Sequence, residues 1–243
     1  MSEVGHARNV ASFEQMVSVV TGLGGGYDPS NADIGLSKLN NKLTASNTVM
    51  DEVLDKVAAY TNETNIRQNL FETLADLATD SVNYYESTGT EKNKIKDARG
   101  FVRKIRGKRA KAVPAPDPDL PVGTPPPVTH SSAQTSYTQR VEHLDGLIEL
   151  FGEDPLYAPN ETNLQLASMT AYSTSLKTAT TNVINSITDR DKAKTDRNLV
   201  LYHEKTGMLT LADLVKKYVK GKYGASSPQY KQLASLKFRK YKI

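Results

Sequence analysis

The chain has 243 residues, of which 38% are hydrophobic and 24% charged, and its formal net charge is +4. It contains no cysteine, which excludes disulfides, thiolate metal sites and cysteine nucleophiles. Neither an apolar signal segment nor a run of about 18 apolar residues is found, so we expect a soluble cytoplasmic protein with no membrane partner. The length leaves room for two domains of ordinary size.

An internal repeat runs through the chain. The pentapeptide Thr73–Leu77 recurs unchanged at Thr210–Leu214. Further matches keep the same order on both sides: Tyr27 with Tyr157, Pro29 with Pro159, and Arg103-Lys104 with Arg239-Lys240. This order indicates a tandem duplication, with a first unit at residues 1–112 and a second unit at residues 137–243.

Helix signals open the first unit. Ser12, with Gln15 three residues later, predicts a capping box, and the glycine run at residues 22–26 ends the helix that follows. Ser30, after a proline, predicts the N-cap of a second helix. The apolar residues of that helix recur at heptad spacing around the polar Ser46: Leu36, Leu39, Leu43, Met50, Val53, Val57 and Tyr60. The stripe predicts a long helix that packs along a partner.

The second unit repeats this stripe with a change in spacing. Its members are Leu166, Met169, Leu176, Val183 and Ile187. Tyr27 lies 130 residues before Tyr157, whereas Thr73 lies 137 residues before Thr210, so the second unit has gained seven residues. Seven residues are close to two helical turns, and we therefore expect the insertion to lie within a helix.

The polar stretch Thr61–Asn65 leaves two interpretations open. It could form the tip of a helical hairpin, or the solvated middle of one very long helix, since neither Pro nor Gly occurs between Leu36 and Ser87. We favour the hairpin. A further helix is predicted up to Ser87, and a last one around Ile95–Ile105.

A proline-rich tract separates the two units. Residues 113–136 hold seven of the chain's 11 prolines. Such a tract cannot be helical, and it predicts an extended polyproline II linker. Because each unit carries apolar stripes of its own, we expect both units to fold when the linker is deleted.

Positive charge collects at the end of each unit. Ten cations between Lys92 and Lys111 are accompanied by one acid, and nine cations from Lys216 onward by none. The acids lie elsewhere, for example at Asp51 and Asp55. A basic end could pair with the acidic flank of another subunit or could attract a polyanion, and we favour the subunit contact.

The C-terminal segment is the main candidate for that contact. It alternates cations with large rings, so one face could bury rings while the other meets carboxylates. Together with the matching end of the first unit, the candidate interface residues are Lys237, Phe238, Arg239, Lys240, Tyr241, Arg103, Lys104 and Arg106. Truncation after Ala234 is expected to abolish assembly and to leave the stability of the monomer nearly unchanged.

Two pairs of polar residues also recur in both units. They are Asp76 with Asp213, and Arg67 with Arg197. In a duplicated unit such residues usually hold packing or register, and a subunit contact and catalysis are the lesser alternatives. Tyrosines interleave with the basic segments, which suits either base stacking or a protein interface.

No pattern of catalytic or ligand-binding residues emerges. The four histidines form no i,i+4 pair, and neither a nucleophile elbow nor a nucleotide-binding glycine loop is found. We therefore predict no catalytic residue, no metal ligand, no cofactor and no small-molecule substrate, and we expect that the protein is not an enzyme.

Several short motifs resemble those of a known group. They are Ala7-Arg8-Asn9-Val10, Tyr27-x-Pro29-Ser30-Asn31, Arg67-x-Asn69, and the basic run Arg103–Arg109. In these the chain resembles duplicated helical proteins of Bacteroidota-type bacteria that carry no assigned activity. The resemblance covers the first unit well and the second more loosely. It implies a bacterial lineage and no particular function.

The sequence thus predicts an all-α protein made of two helical-bundle units joined by a linker. The preferred function is structural: self-assembly into a homo-oligomer or polymer such as a filament, tube or shell. The alternative is nucleic-acid binding by the basic ends of both units.

Overall fold

A computed structural model describes residues 3–107 and 135–241 and confirms the all-α class, because the described residues form helices and no strand. The α-helices are α1 (Val4–Gly22), α2 (Leu36–Glu72), α3 (Leu74–Ser87), α4 (Lys92–Ile105), α5 (Tyr137–Gly152), α6 (Leu166–Tyr202), α7 (Met208–Tyr223) and α8 (Pro228–Ser235). Short 3-10 helices occupy Gly24–Gly26, Ala32–Ile34 and Thr162–Leu164. The predicted linker lies outside the described residues from residue 113 to residue 134.

Contacts divide the chain into two compact units whose borders differ from those predicted for the sequence units. The terminal unit comprises Met1–Thr61 and Asn185–Ile243, and the middle unit comprises Asn62–Ile184. Both long helices, α2 and α6, contribute residues to each unit. Each compact unit therefore combines residues of the first half of the chain (3–107) with residues of the second half (135–241).

The core of the terminal unit joins α1 and the beginning of α2 to α7 and α8. Fully enclosed side chains from the first half, such as Phe13 and Leu39, share this core with Leu201 and Val215 from the second half. Ser46, the polar break of the predicted stripe, is also buried, and its hydroxyl donates to the Lys42 carbonyl at 2.8 Å. The predicted stripe of α2 thus faces the core.

The core of the middle unit joins α3 and α4 to α5 and the beginning of α6. Leu74 and Tyr85 come from the first half, and Leu144 and Phe151 from the second. The rings of Phe151 and Tyr157 stack with centroids 4.0 Å apart. Burial of such large side chains from both halves of the chain is the main stabilising contribution to the middle unit.

The favoured hairpin at residues 61–65 was wrong, because these residues lie inside the uninterrupted 37-residue helix α2. The polar side chains do not interrupt the helix. The Thr61 hydroxyl donates to the Val57 carbonyl one turn earlier at 3.0 Å, and the Arg190 guanidinium lies 4.6 Å from the centre of the Tyr60 ring. With neither Gly nor Pro in the stretch, local polarity alone does not end a helix whose apolar residues before and after it are packed.

Two predicted helix starts were also wrong. Ser12 lies within α1, which begins at Val4, because the buried His6 and Asn9 continue its core-facing side upstream. Ser30 does not cap α2, which begins at Leu36; Asn31 instead caps the 3-10 helix Ala32–Ile34, and its side chain accepts a hydrogen bond from the Asp33 amide at 3.0 Å. A polar residue on a buried face is hidden from a pattern that counts only apolar residues.

The seven additional residues of the second half do not extend a helix by two turns, as predicted. They form the break at residues 203–207 and the first two residues of α7, whereas only Thr73 separates the two helices in the first half. Gly207 is required in this turn, since a Cβ there would lie 2.5 Å from the backbone nitrogen and oxygen of His203. The backbone of the turn therefore packs too closely for a side chain.

Candidate interaction surface

Helix α4 presents an exposed row of cations, here called the cationic face. Ala98 and Ile105 are buried in the middle unit, and Phe101 packs against the same core. The opposite side carries residues at spacings of four, three and four: Lys92, Lys96, Arg99 and Arg103. At 1.5 Å of rise per residue, this row is about 16 Å long. Core packing on one side therefore aligns the charges on the other.

Lys94 anchors α4 from its buried side. Its ammonium donates to Asp154 Oδ2 at 2.9 Å, and the hydroxyls of Tyr85 and Thr90 donate to the same oxygen at 2.6 and 2.8 Å. Asp154 is only 5% exposed. Tyr85 first, then Lys94 and the backbone amide of Leu156, hold the pKa of this carboxyl well below its usual range. The carboxylate thus ties α3 and α4 to the end of α5.

Three cations of the cationic face remain unpaired. Arg99 is engaged, since its Nη2 donates to both Glu86 carboxylate oxygens at 2.8 and 2.6 Å. In the part of the chain that the structure describes, Lys92, Lys96 and Arg103 are exposed and have no carboxylate within ion-pair distance. These three charges are available to a ligand or a partner.

The two other predicted cations at this end have neighbours within the middle unit. Arg106 Nη2 donates to the Thr79 hydroxyl at 2.7 Å and lies 3.6 Å from an Asp76 carboxylate oxygen. The Lys104 ammonium lies 5.6 Å from the centre of the Phe101 ring. The charges of Arg106 and Lys104 are therefore less available to a partner than the charge of Arg103.

The C-terminal segment uses its rings inside the terminal unit. Phe238 and Tyr241 pack against the core of that unit, and the Tyr241 ring lies 4.8 Å from the ring of His6. Asn9 brackets Arg239, because its amide donates to the Arg239 carbonyl at 2.7 Å and accepts from the Arg239 amide at 3.0 Å. Only the cationic side chains of Lys237, Arg239 and Lys240 are exposed. A subunit contact by this segment stays a prediction, and it would have to use these cations.

The polar residues matched between the two sequence units lie in different surroundings. Asp76 and Asp213 have side chains that are 83% and 60% exposed, and Asp213 pairs with Lys217 at 2.7 Å. Arg197 is buried and forms an ion pair with Glu3. The Arg67 guanidinium instead lies 4.0 Å from the centre of the Tyr137 ring. The two arginines contribute to packing in different units.

The tyrosines near the basic segments are engaged in the folded units. Tyr85 is fully enclosed. The Tyr223 hydroxyl donates to the Gly26 carbonyl at 2.6 Å, and the Tyr218 hydroxyl accepts from the Asp28 amide at 3.2 Å. Rings held in this way do not form a row of platforms for nucleotide bases.

An acidic face lies on α2 within the terminal unit. A shallow open groove there is lined by Thr48, Asp51, Glu52, Asp55, Lys56 and Ala59. Lys56 is paired with Asp189 at 3.1 Å. The three acids are exposed, and among the described residues none of them has a cation within ion-pair distance. The acids lie within five positions of α2, from Asp51 to Asp55, whereas the cationic face spans twelve positions of α4.

The buried polar residues that organise both units were not predicted from the sequence. Asp154 stands among turn residues, and His6 and Tyr202 belong to no motif, whereas Asn9 belongs to the short motif Ala7-Arg8-Asn9-Val10, from which no structural role was predicted. The Tyr202 hydroxyl lies 2.6 Å from His6 Nδ1 and accepts from Asn9 Nδ2 at 3.1 Å. These partners are about 190 residues apart in the chain, so no local spacing could reveal them.

Within residues 3–107 and 135–241, no group of three or more histidine and carboxylate side chains is placed to hold a metal ion. No helix in these ranges combines the length and the apolar character needed to cross a membrane. Comparison with protein-family models, with curated proteins and with solved structures found no match. The surface charges of the described residues are thus the main guide to function.

Proposed function

We propose that this protein is a non-enzymatic cytoplasmic building block that self-assembles through contact between oppositely charged helix faces. The cationic face of one copy would lie along the acidic face of α2 in a second copy. The observation that carries the proposal is the exposure of three unpaired cations on α4 and of three unpaired acids on α2.

Such a contact is heterologous, because it joins different faces of the two copies. A heterologous contact that does not close into a ring continues into a filament or tube. Each exposed ion pair contributes about 0.2–1 kcal/mol. Three pairs therefore give at most about 3 kcal/mol, which is less than the roughly 4 kcal/mol of a millimolar dissociation constant. We expect association that requires high concentration or additional contacts, and that weakens as salt is added.

The tandem duplication belongs to this proposal, and the similarity of the two halves supports it. Helices α2 and α6 both have 37 residues. The hydroxyl of Tyr27 donates to the Ile34 carbonyl at 2.7 Å, and that of Tyr157 donates to the Leu164 carbonyl at 2.9 Å. Both donors and both acceptors keep the spacing of 130 residues found in the sequence.

The second candidate is binding of a nucleic acid. The unpaired Lys92, Lys96 and Arg103 favour it, because a row of cations can follow a phosphate backbone. The engaged tyrosines leave contact with phosphates, rather than base stacking, as the mode of binding.

Charge reversal separates the two functions. Variant A carries Lys96→Glu and Arg103→Glu, variant B carries Asp51→Lys and Asp55→Lys, and the quadruple variant carries all four changes. Self-assembly predicts that A and B each fail to form large particles and that the quadruple variant forms them again. Lys38→Glu with Lys205→Glu is the matched control, since both lysines are exposed and lie outside the two faces. Light scattering and negative-stain microscopy at low salt measure the outcome.

A nucleic-acid function predicts a different set of outcomes for the same variants. Variant A would lose binding to duplex DNA or RNA, variant B would keep it, and the quadruple variant would not regain it. Loss of particles in A that is not repaired in the quadruple variant would contradict the contact between α4 and α2. Unchanged particles in both A and B would exclude both faces from assembly.

A further inference from the structure

Both cores are divided almost equally between the two halves of the chain. In the core of the terminal unit, nine of the seventeen buried residues come from residues 3–107 and eight from residues 135–241. In the core of the middle unit, each half supplies seven of fourteen. Neither half contains a complete core for either unit.

Specific hydrogen bonds join the halves in the terminal unit. Asn9, from the first half, bonds to both backbone groups of Arg239 and to the Tyr202 hydroxyl, all from the second half. The Tyr223 hydroxyl reaches back to the Gly26 carbonyl. Because these bonds are directional and partly buried, they select one register of the two halves.

The middle unit joins the halves in the same manner with other residues. Tyr85, Thr90 and Lys94 come from the first half, and their shared acceptor Asp154 comes from the second. The Tyr172 hydroxyl donates to the Leu70 carbonyl, again across the two halves. The association of the halves is thus specific in both units.

The covalent connection favours the pairing of halves that belong to the same chain. It runs through 27 residues between Gly107 and Thr135. These two residues lie side by side in the middle unit, since a Cβ on Gly107 would be 2.7 Å from Thr135 Cγ2. A connection that starts and ends at one place keeps the two halves of one chain at a high effective concentration, so it favours their pairing within that chain.

We infer that the two halves are complementary folding partners, so that a half pairs with its complement in a second copy of the chain when pairing within one chain is prevented. Each half orders only when it meets its complement, because both cores would open without it. The complement is supplied either by the same chain or by a second copy, which gives a half-exchanged dimer or, if the exchange does not close, a longer chain of molecules. This inference goes beyond the proposed function, because it requires neither the cationic face nor the acidic face.

Cleavage of the full-length chain tests the pairing of the halves. A site for a sequence-specific protease is placed within residues 115–127, and the folded protein is cleaved. Both fragments are expected to elute together at the volume of the intact chain, with unchanged helical circular dichroism, and to separate only in denaturant. Fragments that separate under native conditions, whether folded or unfolded, would overturn the inference.

A redesigned connection tests the exchange. Residues 106–136 are replaced by a Glu/Ala/Lys-rich helical segment, which would continue α4 into α5 and prevent the chain from folding back on itself. A matched control replaces the same residues by a Gly/Ser segment of equal length. The helical variant is expected at twice the mass of one chain or more, and the control at the mass of one chain. A helical variant that is folded at the mass of one chain would contradict exchange.

The charge-reversal variants distinguish this inference from the proposed function. Exchange in the helical variant should persist when it also carries Lys96→Glu and Arg103→Glu, and it should persist at high salt. If the charge reversals abolish the dimer of the helical variant, contact between the charged faces, rather than exchange of halves, holds it together.

Discussion

The terminal and middle units enclose polar groups in different ways. In the terminal unit, His6, Asn9 and Tyr202 form a neutral cluster that holds the C-terminal segment against α1. Burial, and then Arg197, lower the pKa of His6, which favours the neutral form of its ring. In the middle unit, a charged carboxylate, Asp154, collects three side-chain donors. Two units with similar helices are thus closed by different chemistry.

The two units also use their basic ends differently. The C-terminal segment follows the eight-residue helix α8 and buries its rings, so its backbone is tied down. The matching end of the first half is part of the 14-residue helix α4, whose cations Lys92, Lys96 and Arg103 extend into solvent. Similar runs of cations and apolar residues can thus bury their rings in the core of one unit and extend their cations into solvent from another.

A proline at Asn62 should have the largest effect, because α2 supplies residues to both units. Proline removes the backbone hydrogen bond to residue 58 and clashes with that carbonyl, which costs about 3 kcal/mol or more in the free energy of unfolding. The control Asn62→Ala should be neutral or stabilising by up to about 0.7 kcal/mol. Urea unfolding followed by circular dichroism measures both. If the proline variant and Asn62→Ala are equally stable, α2 is not continuous at this point, and the hairpin predicted at residues 61–65 would be supported instead.

Asp154→Asn should come next and should lower the midpoint of thermal unfolding by several degrees at pH 7. Three donors then meet an amide in place of a carboxylate, and Lys94 loses its counter-charge. The pKa of Asp154 is lowered in the folded state, so its contribution is present above the unfolded-state value of about 3.9 and is lost as pH falls towards the folded value. The exposed Glu153→Gln is the control. Identical melting of Asp154→Asn and wild type at pH 7 would contradict stabilisation of the middle unit by the charged Asp154 carboxylate.

Asn9→Ala tests the neutral closure of the terminal unit. It removes one of the two partners of the buried Tyr202 hydroxyl, which keeps His6, and it leaves the backbone of Arg239 without its side-chain partner, which costs about 1–3 kcal/mol. Truncation after Ala234 should also destabilise the protein, contrary to the expectation from sequence, because it removes Phe238 and Tyr241 from the core. Lys240→Ala, an exposed neighbour, serves as the control. If the truncated chain is as stable as wild type, the C-terminal segment does not contribute to the core and remains a candidate for the subunit contact.

The smallest effect is expected on the cationic face. Lys96→Ala with Arg103→Ala should change the free energy of unfolding by less than about 0.5 kcal/mol, because these exposed side chains have no ion-pair partner among the described residues. Lys94→Ala, on the same helix, should destabilise more, because it leaves the buried carboxylate of Asp154 without its counter-charge. If the double variant is the less stable of the two, the face contributes to the fold and is not reserved for a partner.

The sequence by itself determined the helical class and the buried stripes of α2 and α6, because heptad spacing depends only on the 3.6-residue turn and on burial of apolar side chains. It also located the cations of α4. It did not show which of these cations have no carboxylate partner in the folded chain. Only the tertiary structure decided that α2 continues through residues 61–65, since packing on both sides of a polar stretch outweighs its local preference. The same holds for the sharing of both cores between the halves and for the polar groups around Asp154 and Tyr202. These depend on contacts between residues 60 or more positions apart, which no periodicity along the chain records.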